Sequence, residues 1–227
     1  MTRKPQYIAE KGSQKWIQEA VNHNPELLET QIREHFLLSN DDSIIWLSPI
    51  DKDDYAEYSD HSFIDLLGIR LSKMPLADFW PARGPQWDAL AKSKMGNILL
   101  VEAKSHIPEL VSTPTRASGQ SLKKIKISLD ETKKYLNSKT EADWSTSFYQ
   151  YTNRLAYLYL LRTLNKIPAY MVSVYFLNDK EMNGPESKDE WLGAIALLRS
   201  YLGITRNRLS KYTVDIFIDV QDILQQV

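Results

Sequence analysis

Residues 97 to 106 read NILLVEAKSH. Four apolar residues, Ile98 to Val101, run straight into Glu102, Ala103 and Lys104. A short β-rich apolar run is the pattern of a strand covered on both faces. Such a strand does not ordinarily end in an acid and a base two positions apart. Alternate residues of a strand share a face, so Glu102, Lys104 and His106 are expected to project together. Val101 and Ala103 then point into the opposite layer.

The preceding stretch, PLADFWPARGPQWDALAKSKMG, fixes what this strand pairs with. Pro81, Gly84 and Pro85 mark an irregular loop. WDALAKS and NILLVEAK read as two strands of a hairpin joined through Lys94-Met95-Gly96-Asn97, with glycine in the turn. Asp88 lies about seven residues before that turn, and Glu102 to Lys104 about six to eight after it. This register brings two carboxylates and an ammonium side by side.

The remaining pattern sets the architecture. SQKWIQEAVN and NPELLETQIREHFLL carry helical spacing, with Pro25 at a helix start. SIIWLSPI (43–50) reads as a strand, and Asp60 to Leu67 as a helix closed by Gly68. Leu122, Ile125, Leu129, Thr132 and Leu136 mark an amphipathic helix from about Ser118. A strongly apolar helix is expected over Ser145–Leu164, then the strand AYMVSVYFLND, the helix DEWLGAIALLRSYLG and the strand YTVDIFIDV. The expectation is one α/β domain over residues 1–227, opened by a helical segment over about 1–40. Its mixed sheet has about five strands flanked by helices.

Nearby carboxylates repel, so one protonates unless a cation lies between them. Oxygens of Asp88 and Glu102, with the Ala103 carbonyl, suit a hard divalent ion such as Mg²⁺ or Mn²⁺. Lys104 beside it could orient or deprotonate a bound water, or stabilise charge on a phosphoryl oxygen. The plainer reading of Glu-x-Lys at a strand end is a solvated ion pair.

Asp88, a hairpin and Glu102-Ala103-Lys104 together resemble the PD-(D/E)XK nuclease superfamily, the restriction-endonuclease-like fold. Its common core is helix, three strands, helix, strand. The run WPARGPQWDALAKSKMGNILLVEAKSH, with FYQYTNRLAYLYLLR and WLGAIALL, is also similar to an uncharacterised bacterial family of that superfamily. The resemblance implies Asp88 and Glu102 as metal carboxylates and Lys104 as the catalytic lysine. Trp87 stands where the motif has proline. The resemblance also implies a glutamate from an N-terminal helix, for which Glu57 is preferred over Glu34. Gln150 is similar to a glutamine that approaches the active site in some members.

Gln150, Asn153 and Arg154 fall at i, i+3 and i+4, on one helix face. They are candidates for the pocket or for a network pinning the helix. His106 is read as a hydrogen-bonded structural residue that shares the Glu102 face. Trp80 and Trp87 bracket the Pro/Gly loop as packing anchors, with base stacking the functional alternative. Lys92, Lys94, Lys123, Lys124, Lys126, Lys133 and Lys134 form a stripe able to track phosphates, or simply a solvated face.

Net charge is −1, so any nucleic-acid contact must be local. The absence of cysteine and the four scattered histidines argue against structural zinc. No GxxxxGK[ST], HExxH or GxSxG motif occurs. The first residues lack the apolar core of a signal peptide and no run reaches a bilayer span, so a cytoplasmic location is expected. The functional expectation is a Mg²⁺-dependent nuclease acting on DNA or RNA. The alternative is a nuclease-fold binding or assembly module without turnover. A homodimer stays open.

Overall fold

In the computed structural model, which describes residues 3–36, 38–39 and 41–225, the hairpin forms where its turn chemistry places it. The elements in chain order are β1 (Arg3–Lys4), α1 (Gly12–His23), α2 (Pro25–Phe36), β2 (Ile44–Ser48), β3 (Glu57–Tyr58) and α3 (Asp60–Leu67). Then come α4 (Leu76–Phe79), β4 (Ala89–Ser93), β5 (Ile98–Lys104), α5 (Ile107–Leu110), α6 (Gly119–Leu136) and α7 (Tyr149–Leu158). The last are β6 (Ala169–Leu177), α8 (Lys188–Tyr201), β7 (Thr213–Asp219) and α9 (Val220–Leu224).

Five strands form a mixed sheet in the order β2-β4-β5-β6-β7. The first three run antiparallel to one another, and β6 and β7 run parallel to β5. Alternation along β5 separates two cores. Ile98 and Leu100 face a layer holding buried residues of α3, α4, α6, α7 and α8. Leu99, Val101 and Ala103 face a layer built on α1, α2 and α9. The sheet is therefore sandwiched by helices, and its central strand is covered on both faces, as NILLV requires.

Local signals explain the element ends. Pro25 opens α2, where its missing N–H costs nothing. Gly68 closes α3 in the left-handed region (φ 62°). Ile125, Leu129, Thr132 and Leu136 form the buried stripe of α6.

Two expectations need correction, and part of a third lies outside the described residues. The first 40 residues do not begin helically: β1 pairs with β3 as a small antiparallel ribbon. Arg3 pins it by bonding Asp53 Oδ1 at 2.8 Å and Asp54 Oδ2 at 3.0 Å. The α2 pattern was extended through Leu37, which lies outside the described residues. The helix expected over Ser145–Leu164 starts at Tyr149 and changes to a π-helical turn over Tyr159–Leu164. Its wide hydrogen bonds, Asn165 N to Leu160 O at 3.0 Å among them, let Leu160 and Leu161 both stay fully buried while Arg162 turns outward.

Candidate active site

The last ladder pair of β4 and β5 is Ala89 with Val101, so Asp88 falls abreast of Glu102. The Ala103 amide donates to Asp88 Oδ2 at 2.8 Å, carrying the pairing one step further through a side chain. A strand residue exposes its amide and carbonyl on the same side. The Ala103 carbonyl therefore also faces the Asp88 side, where β4 has ended.

Glu102 and Lys104 lie on the face of Ile98 and Leu100, at the end of β5 where the helical cover gives way to an open cleft. Lys104 Nζ donates to Glu102 Oε1 at 2.6 Å. From α7 above the sheet, Arg154 Nε donates to Glu102 Oε2, also at 2.6 Å. The Arg154 guanidinium is held in turn by Asn153 Oδ1 at 2.8 Å and the Gln86 carbonyl at 2.5 Å. It sits 4.8 Å above the Trp87 ring. Both oxygens of Glu102 thus bind cations, and the side chains of Glu102 and Arg154 are only 8 % and 5 % exposed.

The electrostatics of the three groups differ. Burial, then the Glu102 charge, push the Asp88 carboxyl up to about 7 against the pull of Lys104 and Arg154. Burial also opposes the Glu102 charge, but Arg154 and Lys104 together outweigh it and hold that carboxyl below its ordinary range. Lys104 is likewise penalised by burial, yet Glu102 and Asp88 raise its ammonium above the usual lysine value. The lysine is a fixed cation here. The expectation that it could deprotonate a water does not fit this state of the site.

The cleft has a volume of about 630 Å³. Its walls are the Arg83–Gln86 loop, the segment from Pro108 to Arg116 and the start of α7. Gln150, Asn153 and Arg154 all line it, but only Asn153 and Arg154 are buried, while Gln150 is on the exposed rim.

Other candidates fall outside. Glu57 is on β3, not on a helix, and accepts from Gln6 Nε2 at 3.1 Å and Gln14 Nε2 at 3.3 Å. Burial raises its carboxyl and the Glu102 charge adds to that, but it does not line the cleft. Glu34 is exposed on α2, in the layer across the sheet. His106 misses the shared face because β5 ends at Lys104 and His106 precedes α5. It does not line the cleft. Trp80 and Trp87 are 2 % and 0 % exposed, which closes them to base stacking. They pack against Tyr157, Trp87 also against Phe63.

The lysine stripe is largely engaged by neighbours. Lys124 reaches the Ala77 carbonyl at 2.7 Å, Lys126 pairs with Asp143 at 2.9 Å, and Lys133 reaches the Ala142 carbonyl at 3.1 Å. Lys92 bonds the Leu67 carbonyl at 3.2 Å.

Sequence reasoning overlooked Glu109. It lines the cleft, accepts from the Ser105 amide at 2.7 Å and from Ser13 Oγ at 3.0 Å, and helps keep Lys104 charged. The signal was Pro108, four residues past the end of the strand, which marks a helix start and so places Glu109 in its first turn.

The donor set fits a hard divalent cation that keeps most of its water. Such an ion is commonly held by one or two carboxylates. Asp88 is an acid whose charge has no dedicated cation, and the Ala103 carbonyl lies beside it. Among the described residues no cluster of three or more histidine or acidic side chains is placed to cage a metal. Also among them, no helix is long and apolar enough to cross a membrane. Comparison with family models, curated proteins and solved structures finds no match to the chain.

Proposed function

We propose that this protein is a metal-dependent nuclease of the PD-(D/E)XK type, with a restriction-endonuclease-like fold, that hydrolyses phosphodiester bonds of nucleic acid. The order helix, three antiparallel strands, helix, parallel strand supports the fold reading. The convergence of Asp88, Glu102 and Lys104 at the mouth of one cleft carries the functional reading.

Asp88, Glu102 and the Ala103 carbonyl would hold the ion. When bound, Mg²⁺ or Mn²⁺ supplies positive charge and a water of lowered pKa. Lys104 stays protonated and places its ammonium against the oxygen on which phosphoryl charge accumulates. Arg154 fixes the Glu102 carboxylate and is itself held by Asn153 and the Gln86 carbonyl, so it is a positioning residue. Hydrolysis adds the oxygen of water to phosphorus and its proton to the departing sugar oxygen.

A second reading, a nuclease-fold module that binds without turnover, is favoured by one observation. Both oxygens of Glu102 are already taken by Lys104 and Arg154 within the protein, and burial favours the neutral form of Asp88.

The test incubates wild-type and Lys104→Ala protein with duplex DNA, single-stranded DNA and RNA, in Mg²⁺, Mn²⁺ and EDTA. Metal-dependent cleavage that falls at least about 100-fold in the variant supports the nuclease. Equal activity in both proteins defeats it. Binding without cleavage in either metal supports the module.

A further inference from the structure

At the opposite end of the sheet from the cleft, the π-helical turn, the start of β6 and the start of β7 gather a second set of cations. The span from Lys104 back to Ile98 is about 20 Å of strand, and Ile98 pairs with Ala169 at this far end. Arg162 sits 3.2 Å from the centre of the Tyr212 ring and 4.7 Å from that of Tyr170. Lys211 lies 4.9 Å over Tyr212, and Arg208 5.4 Å over Tyr135. Lys166, exposed and at φ 62°, completes the group. A cavity of about 330 Å³ opens between Tyr135, Arg162, Lys166, Pro168 and Tyr212.

These cations are held differently from Arg154. A carboxylate cancels the charge it binds, whereas an aromatic ring positions a cation and leaves its charge in place. Among the described residues none of Arg162, Lys166, Arg208 and Lys211 is in an ion pair. Glu131, on the helix that carries Tyr135, accepts from the Tyr159 hydroxyl at 3.1 Å. Arg162 is also fixed by a 2.9 Å bond to the Ala169 carbonyl. A π-helical turn is an uncommon feature that concentrates at functional sites, and here it is what turns Arg162 onto the rings.

We infer that this face, built on Arg162, Lys166, Arg208 and Lys211, binds the phosphodiester backbone of single-stranded nucleic acid. A pre-positioned guanidinium edge suits a phosphate better than a mobile ammonium does. The cavity admits a flexible strand's phosphate and sugar. The near-neutral chain confines its attraction for polyanions to such a patch. The inference does not require the cleft to be hydrolytic.

The experiment is fluorescence anisotropy of a labelled single-stranded oligonucleotide, titrated in EDTA over a series of salt concentrations. Lys166→Asp with Lys211→Glu is expected to weaken binding at least about tenfold. It should also lower the salt slope by roughly 1.4, two phosphates at about 0.7 each. Aspartate tolerates the left-handed backbone at 166. Lys211→Glu alone, at an exposed side chain, should give about half that slope change. Lys52→Glu with Lys180→Glu serves as the control of equal net charge and should change affinity less than about twofold. Equal losses in both pairs overturn the inference, as does binding that neither pair affects. Polyglutamate competing as well as unlabelled oligonucleotide would make the face an acidic-polypeptide site. Capture of inorganic phosphate without the oligonucleotide would make it a small-anion site. Either result sinks the proposal. EDTA keeps cleavage out of the measurement, so failure here and failure of the nuclease reading are separately visible.

Discussion

The Ala103 amide and the Asp88 carboxylate are joined at 2.8 Å where the β4–β5 ladder runs out of backbone partners. One acid therefore serves both as the end of a hairpin and as the opening of a cleft. Asp88→Ala leaves a buried amide unpaired and should cost about 1–3 kcal/mol. Asp88→Asn keeps an acceptor and should cost much less, while removing the charge that the proposed metal site needs. Urea unfolding of the two variants at about pH 5, near the ordinary carboxylate range, separates the structural role from the chemical one. Equal losses would show that the amide bond contributes nothing.

The hairpin and its acids were legible because they are local. A turn glycine and a period of two fix which residues meet, and counting seven outward on each side of Met95 brings Asp88 to Glu102. Arg154 as the partner of Glu102 was not legible, since it arrives from 52 positions away through the docking of α7. Its spacing with Gln150 and Asn153 showed a polar face but not which members are buried. The ribbon of β1 with β3 has two-residue strands and no period to detect. The lysine spacing on α6 pointed to a cationic surface that neighbouring carbonyls and Asp143 largely occupy. A second group of cations outside any ion pair sits on Arg162, Lys166, Arg208 and Lys211, in two segments of the chain more than 40 positions apart.

Arg154→Ala removes one of two cations from a carboxylate that is 8 % exposed. Breaking a buried pair strands the remaining charge, at about 3–5 kcal/mol. Arg154→Lys restores charge but not the fork that also reaches Asn153 and Gln86, so it should recover only part of that loss. Chemical denaturation of the two variants measures both values. An Arg154→Ala loss below about 1 kcal/mol would mean that Lys104 alone satisfies Glu102.

Gly84 lies between the cleft loop and the aromatic core. A β-carbon there would overlap the buried Tyr157 hydroxyl and come within 3.0 Å of Asp60 Oδ1, which accepts from the Gly84 amide at 2.8 Å. Gly84→Ala should therefore destabilise by about 1–3 kcal/mol through overpacking. Because Gln86 is two residues on and holds Arg154, the proposed cleavage should slow as well. Combining it with Tyr157→Phe, which removes the overlapped hydroxyl, should recover most of the stability. If the double variant is no better than Gly84→Ala, the clash lies elsewhere.

The pH dependence follows from Asp88 and Glu102 with opposite signs. Asp88 is raised to about 7 in the folded protein and returns to about 4 on unfolding. Between those values the folded state holds the extra proton, so unfolding releases it and stability from this group falls as pH rises. Below the unfolded value the contribution is fully present, and above about 7 it is lost. Glu102, held below its ordinary range, gives stability above the unfolded carboxylate value that is lost as pH falls through its folded one. In metal-free buffer, wild type should therefore lose melting temperature between about pH 4 and about pH 7, and Asp88→Asn should flatten that decline. Mn²⁺ should raise the melting temperature more at the upper end of the range, because binding there no longer has to displace the Asp88 proton. Differential scanning fluorimetry across pH, with and without Mn²⁺, measures both slopes. A decline that persists unchanged in Asp88→Asn would assign the titration to another group.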